Sequence, residues 1–148
     1  MSIKIKQHDI TDCGAACLAS IASHYKLELP ISRIRQMAGT DQKGTNALGL
    51  IKAAEKLGFS AKGVKGGVDS LPKIPLPAIA HVIVKEVLQH YVVIYKASET
   101  HVDIMDPGDG LMHRKSIEEF QKEWTVVLSL VADYGRLNDT GLITNVFN

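Results

Sequence analysis

The feature that most constrains this chain is a change of hydrophobic period near residue 58. Up to that point the apolar residues recur at helical spacing. Beyond it they gather into short β-branched runs. Helices first and strands second is the pattern of an α+β domain with an antiparallel sheet, not of alternating βαβ units. At 148 residues, one compact domain is expected.

The helical half begins with Thr11 and Asp12 as N-cap candidates. The run at 13–25, CGAACLASIASHY, follows, with Ala16, Leu18, Ile21, Ala22 and Tyr25 forming an apolar stripe. Its many small residues predict a central, closely packed helix. Pro30 and Ser32 open a second helix that runs to about Gly39, and residues 40–46 read as a loop. A third helix is expected over 47–57, with Leu48, Ile51, Ala54 and Leu57 on one face and Gly58 at C′.

In the second half, strands are expected at 59–64, 78–85, 91–96, 102–105 and 125–132. Residues 68–71 suit a helical turn. Asp106-Pro107-Gly108-Asp109-Gly110 is a strong turn, and Ser116 to Glu119 carries a capping-box signature for a short helix ending near Trp124. Residues 134–148 lack periodicity and read as a tail or linker after a domain at 1–133.

Charge narrows the function classes. The net charge is +1 and Lys and Arg are scattered, so nothing calls for nucleic acid. The longest apolar runs are strand-sized, far short of the roughly 20 residues of a spanning helix. The N-terminus lacks the apolar core of a secretory signal. A soluble chain made in the cytosol is therefore expected, with Cys13 and Cys17 both reduced.

Cys13 is the first candidate for chemistry. On the first turn of a helix, free N–H groups and the helix dipole favour thiolate over thiol. The competing reading is a small buried hydrophobe, which is how Cys17, one turn further in, is read. Gln7, six residues before Cys13, can donate an amide N–H to an oxyanion, although a solvated Gln has the same sequence appearance. Of the six histidines, His90 opens the convincing strand run HYVVIY, and His81 opens a similar run and is its rival. The third candidate is Asp106, which lies beside His90 if the two flanking strands form a hairpin. Asp before Pro is also a common turn former, and Asp9, Asp12, Asp103 and Asp109 are weaker rivals. A zinc site is disfavoured, because CxxxC is not a usual spacing and neither HxxxH nor a second Cys pair exists. GxGxxG and GxxxxGK[ST] phosphate loops are absent.

Taken together, Gln7, DCGAAC at 12–17, HYVV at 90–93 and Asp106-Pro107 resemble the double-glycine leader peptidase domain. That domain stands at the N-terminus of bacterial peptidase-containing ABC transporters for bacteriocins and signalling peptides. The resemblance extends from about residue 5 to 133. It implies a papain-like fold with helices on one side and a sheet on the other. Cys13 would be the nucleophile, His90 the base, Asp106 the orienting carboxylate and Gln7 the oxyanion donor, with no cofactor for cleavage. The implied substrate is a precursor peptide with an amphipathic helical leader ending in Gly-Gly. The implied partners are transmembrane and nucleotide-binding domains, which would place the domain at the cytoplasmic face of the membrane. A leader-binding module that does not cut, and a structural or metal-linked domain with both cysteines in the core, are the competing classes.

Overall fold

A computed structural model describes residues 12–39, 46–86, 88–132 and 144–145. Three helices come first: α1 (Cys13–His24), α2 (Ile31–Ala38) and α3 (Ala47–Lys56). The strands are β1 (Ser60–Lys65), β2 (Ala78–Val84), β3 (Leu88–Ala97), β4 (His101–Asp106), β5 (Leu111–Ser116), β6 (Trp124–Ala132) and β7 (Thr144–Asn145). A 3-10 turn, Val68–Lys73, lies between β1 and β2, and α4 (Ile117–Glu123) between β5 and β6. The sheet order is β5-β4-β3-β2-β6-β1-β7, with antiparallel pairing throughout.

Residues Cys13 to Ala22 of α1 are all buried. A helix that is apolar on every side belongs inside a domain, and α1 is held between the sheet and its sister helices, so its buried surface exceeds the expected stripe. Ser20, the polar residue within this stretch, donates its hydroxyl to the Ala16 carbonyl at 3.0 Å, so burial leaves no unmet donor there. Asn46 caps α3 by accepting from the Gly49 N–H at 2.7 Å. Gly58, with φ +94°, ends α3 in the left-handed region that glycine tolerates. The buried face of α3 differs from expectation. Leu50, Ile51, Ala53 and Ala54 are buried, whereas Leu48 is 41% exposed. The helix packs against both α2 and β1, which turns its first-turn leucine outward.

Alternation along the strands divides the core into two clusters, as a period of two requires. Ile79, Tyr91, Val93, Met105 and Val131 pack with α1, α2 and α3. Ala80, Val92, Ile94, Ile104 and Leu130 face the other way, against Phe120 of α4, Trp124 and Leu71 of the 3-10 turn. The expected picture of helices on one side of a sheet holds for α1 to α3, and α4 covers part of the opposite face. Ser116 caps α4 by accepting from the Glu119 N–H. Strand β5 was not expected. Its sequence, LMHRKS, is largely polar because it is an edge strand paired only with β4. Two residues of the segment read as a tail, Thr144 and Asn145, pair with Lys65 and Val64 of β1.

Candidate active site

Cys13 is the first residue of α1 and is 7% exposed. His90 lies near the start of β3 and Asp106 ends β4. The two strands form a hairpin with Val93 opposite Met105, so its open end carries both His90 and Asp106. His90 Nε2 is 2.7 Å from Asp106 Oδ1. That bond commits Nε2, and Nδ1 is the ring nitrogen left for Cys13, which is also a hydrogen-bond partner of the imidazole.

The charge states follow from these contacts. Burial works against the His90 imidazolium, but the Asp106 and Cys13 hydrogen bonds and their negative charge outweigh it and raise the pKa to about 9. Burial likewise opposes the Asp106 carboxylate, yet hydrogen bonds from His90 and from the Gly108 N–H bring its pKa below the usual aspartate value. A positively charged imidazole between a sulfur and a carboxylate is thus the stable arrangement near neutral pH.

Asp106 is fixed from its own turn. Its Oδ1 accepts from Gly108 N–H at 2.8 Å, and its carbonyl accepts from Gly110 N–H at 2.7 Å. A Cβ at position 108 would stand 3.0 Å from Asp106 Oδ1 and 3.9 Å from His90 Nε2. Asp106 therefore forms the turn and also bonds the His90 imidazole. The sequence marks Gly108 only as part of the turn, and its N–H also supports the carboxylate. The Asp-x-Gly spacing, which allows a side chain to bond the backbone two residues on, was the available signal.

The rival residues have other partners. The Thr125 hydroxyl donates to the His81 carbonyl and contacts His81 Nδ1 at 2.9 Å. The His81 ring packs on Tyr91 with centroids 5.1 Å apart, and burial pushes its pKa down. Asp103 pairs with Arg114, Asp109 with His113, and Asp12 with Arg35. Asp12 occupies the N-cap position of α1, but its side chain makes no capping hydrogen bond. Cys17 is fully buried, and burial, followed by the nearness of Cys13 and Asp106, pushes its thiol well above the ordinary range. Tyr91 is pushed up to about 12 by burial and by the two neighbouring sulfurs, so it stays neutral. Gln7, Asp9 and Thr11 lie outside the described residues.

Among the described residues, no group of three or more His, Cys, Asp or Glu side chains is arranged to hold a metal ion, and no helix is long and apolar enough to cross a membrane. A hollow of about 400 Å³ between the 3-10 turn, Glu99 and Ile117 contains none of the residues discussed above.

A thiol at a buried helix start, facing an imidazole and a carboxylate carried by an antiparallel sheet, defines a papain-like cysteine peptidase domain. The chain belongs to the peptidase C39 family, whose model matches residues 2–134. It is 49% identical over 126 residues to the lactococcin-G-processing and transport ATP-binding protein LagD of Lactococcus lactis subsp. lactis, covering 84% of this chain and 18% of LagD. It is 36% identical over 129 residues to the transport/processing ATP-binding protein ComA of Streptococcus pneumoniae, covering 85% of this chain and 18% of ComA. The chain thus spans under a fifth of the length of these relatives. Among solved structures, the peptidase domain of Streptococcus ComA superposes with a TM-score of 0.84 at 37% identity, covering 90% of this chain and 99% of that one. A double glycine motif protease from an AMS/PCAT transporter, in complex with its leader peptide, superposes with a TM-score of 0.82 at 30% identity, covering 90% and 92%.

Proposed function

We propose that this chain is the leader peptidase of a peptide exporter and cuts precursor peptides after a Gly-Gly pair. The observation that carries the reading is the Cys13–His90–Asp106 arrangement, with the 2.7 Å bond from His90 to Asp106 and Cys13 as the other hydrogen-bond partner of the imidazole. Its occurrence in a chain similar to bacteriocin-processing transporters and to a leader-bound double glycine protease supports the choice of substrate.

In this mechanism the Cys13 sulfur, paired with the His90 imidazolium, attacks the carbonyl carbon of the second glycine. The carbonyl π electrons move to oxygen, and the Cys13 N–H and the Gln7 amide hold the resulting oxyanion. The oxyanion collapses, the peptide C–N bond breaks, and His90 delivers its proton to the leaving amine. A thioester remains on Cys13. Neutral His90 then removes a proton from water, hydroxide adds to the thioester, and the sulfur leaves as the leader's carboxylate forms. Asp106 keeps the imidazole oriented and stabilises its charge at both stages. Each step uses only protein groups and water, so cleavage requires no cofactor.

Two glycines suit a narrow approach to a thiolate, since neither adds a Cβ to the cleft. An amphipathic leader helix would supply affinity through apolar anchors at i, i+3, i+4 and i+7. In a longer protein built like LagD, transmembrane and nucleotide-binding domains would follow this one and place it at the cytoplasmic face of the membrane.

The test is incubation with a peptide made of an amphipathic leader, Gly-Gly and a short cargo, with fragments weighed by mass spectrometry. Two fragments meeting at the bond after the second glycine are expected from wild type, and none from Cys13→Ala. Equal cleavage by Cys13→Ala, or tight binding of the peptide by wild type without cleavage, contradicts the proposal.

A further inference from the structure

A buried carboxylate directly beside the nucleophile needs an explanation. Asp12 precedes Cys13 in the chain, and its side chain is only 3% exposed. An acidic residue in this position normally turns its carboxylate onto the first-turn N–H groups of the helix. Asp12 does not. Its backbone is helical, at φ −92° and ψ 0°, and no capping bond forms. Its Oδ1 instead meets Nη1 of Arg35, 23 residues away on α2.

We propose that Arg35 is a positioning residue for the peptidase reaction: it neutralises Asp12 and holds it off the start of α1, so that the first-turn N–H groups and the local field serve Cys13. The proposal rests on the peptidase reading of Cys13 and adds to it a residue from a helix with no other part in the site. An uncompensated carboxylate one residue from a thiolate repels it through a poorly screened interior. Among the described residues, the other charged or titratable groups around Cys13 are His90 and Tyr91 on β3, Asp106 on β4 and Cys17 on α1. Tyr91 and Cys17 are neutral in the working range, so Arg35 and His90 are the cations set against the Asp12 and Asp106 carboxylates beside Cys13.

Two roles for the pair predict opposite signs for one substitution. If Arg35 merely fastens α1 to α2, removing either partner harms the site alike. If it neutralises Asp12, removing the carboxylate does no harm. The readouts are the rate of Cys13 alkylation by iodoacetamide at pH 7, followed by mass, and kcat and KM for a Gly-Gly peptide. Arg35→Gln is expected to slow alkylation and kcat by about tenfold with KM within about twofold, the size of one unscreened like charge nearby. Asp12→Asn is expected to alkylate at least as fast as wild type. The double variant Asp12→Asn/Arg35→Gln is expected to return to within about threefold of wild type, because no charge is left to neutralise. Asp12→Asn slowing as much as Arg35→Gln, or a double variant no better than Arg35→Gln, would overturn the proposal. Should Arg35→Gln fail to fold, Asp12→Asn and the double variant decide it alone. Alkylation needs no peptide, so failure of wild type to cut a Gly-Gly substrate would sink the peptidase reading and leave this measurement standing.

Discussion

His90 reaches Asp106 through Nε2 at 2.7 Å, and Asp106 is in turn held by the N–H of Gly108, two residues further along its own turn. The imidazole is therefore anchored through one nitrogen and works through the other. Removing the anchor has a defined expected cost. Asp106→Ala should reduce kcat by on the order of 100-fold, within the range for losing a well-placed acid–base group. Asp106→Asn, which still accepts a hydrogen bond from Nε2–H, should retain more activity than Asp106→Ala. Steady-state kinetics on a Gly-Gly peptide check both, and equal losses would mean that the charge of Asp106, not its acceptor, is what matters.

The same contacts make stability depend on pH. His90 has its ordinary value of 6.5 when unfolded and about 9 when folded. A raised folded value contributes stability that is fully present below about 6.5 and is lost as pH rises through about 9. Asp106 has the opposite sense. Its folded value lies below the usual 3.8, so its contribution is present above that value and disappears in strong acid. Thermal unfolding of wild type and His90→Gln from pH 6 to pH 10 should show the wild-type advantage shrinking across 6.5 to 9. An advantage that grows over that interval would contradict the assigned charge states.

Gly49 of α3 lies against Ala38 at the end of α2. A Cβ there would sit 2.3 Å from the Ala38 carbonyl oxygen, which is backbone and cannot rotate away. Alanine would add roughly 1 kcal/mol of helix propensity, but the forced separation of two helices costs more, typically 1–3 kcal/mol and occasionally beyond. Gly49→Ala should therefore lower stability by up to about 2 kcal/mol net, measured by chemical denaturation. A stabilised variant would show that the helices separate freely.

Much of this was legible in the chain because the signals are local. The β-branched run after His90, the strand that ends at Asp106 and the short loop at 97–100 between them predict a hairpin whose open end brings those two residues together. The small residues of 13–25 predict a central helix that begins at Cys13. What was not legible depends on partners distant in sequence. Asp12 reads as a cap by local rules, and nothing near it announces Arg35. Leu48 reads as a core position until the helix is turned by packing on two sides. Strand β5 lacks alternation because an edge strand needs only one neighbour.

The central claim is that the Cys13 sulfur attacks the second glycine with His90 as its base, and a leader peptide ending in Gly-Gly-chloromethyl ketone tests it most directly. The reagent alkylates a thiol seated at the scissile position. The account predicts one adduct per chain, placed on Cys13 rather than Cys17 by fragment-ion mass spectrometry, formed at nearly the wild-type rate in His81→Ala and at least 100-fold more slowly in His90→Ala. An adduct on Cys17, no adduct at all, or a rate that falls with His81 and not with His90 would contradict it.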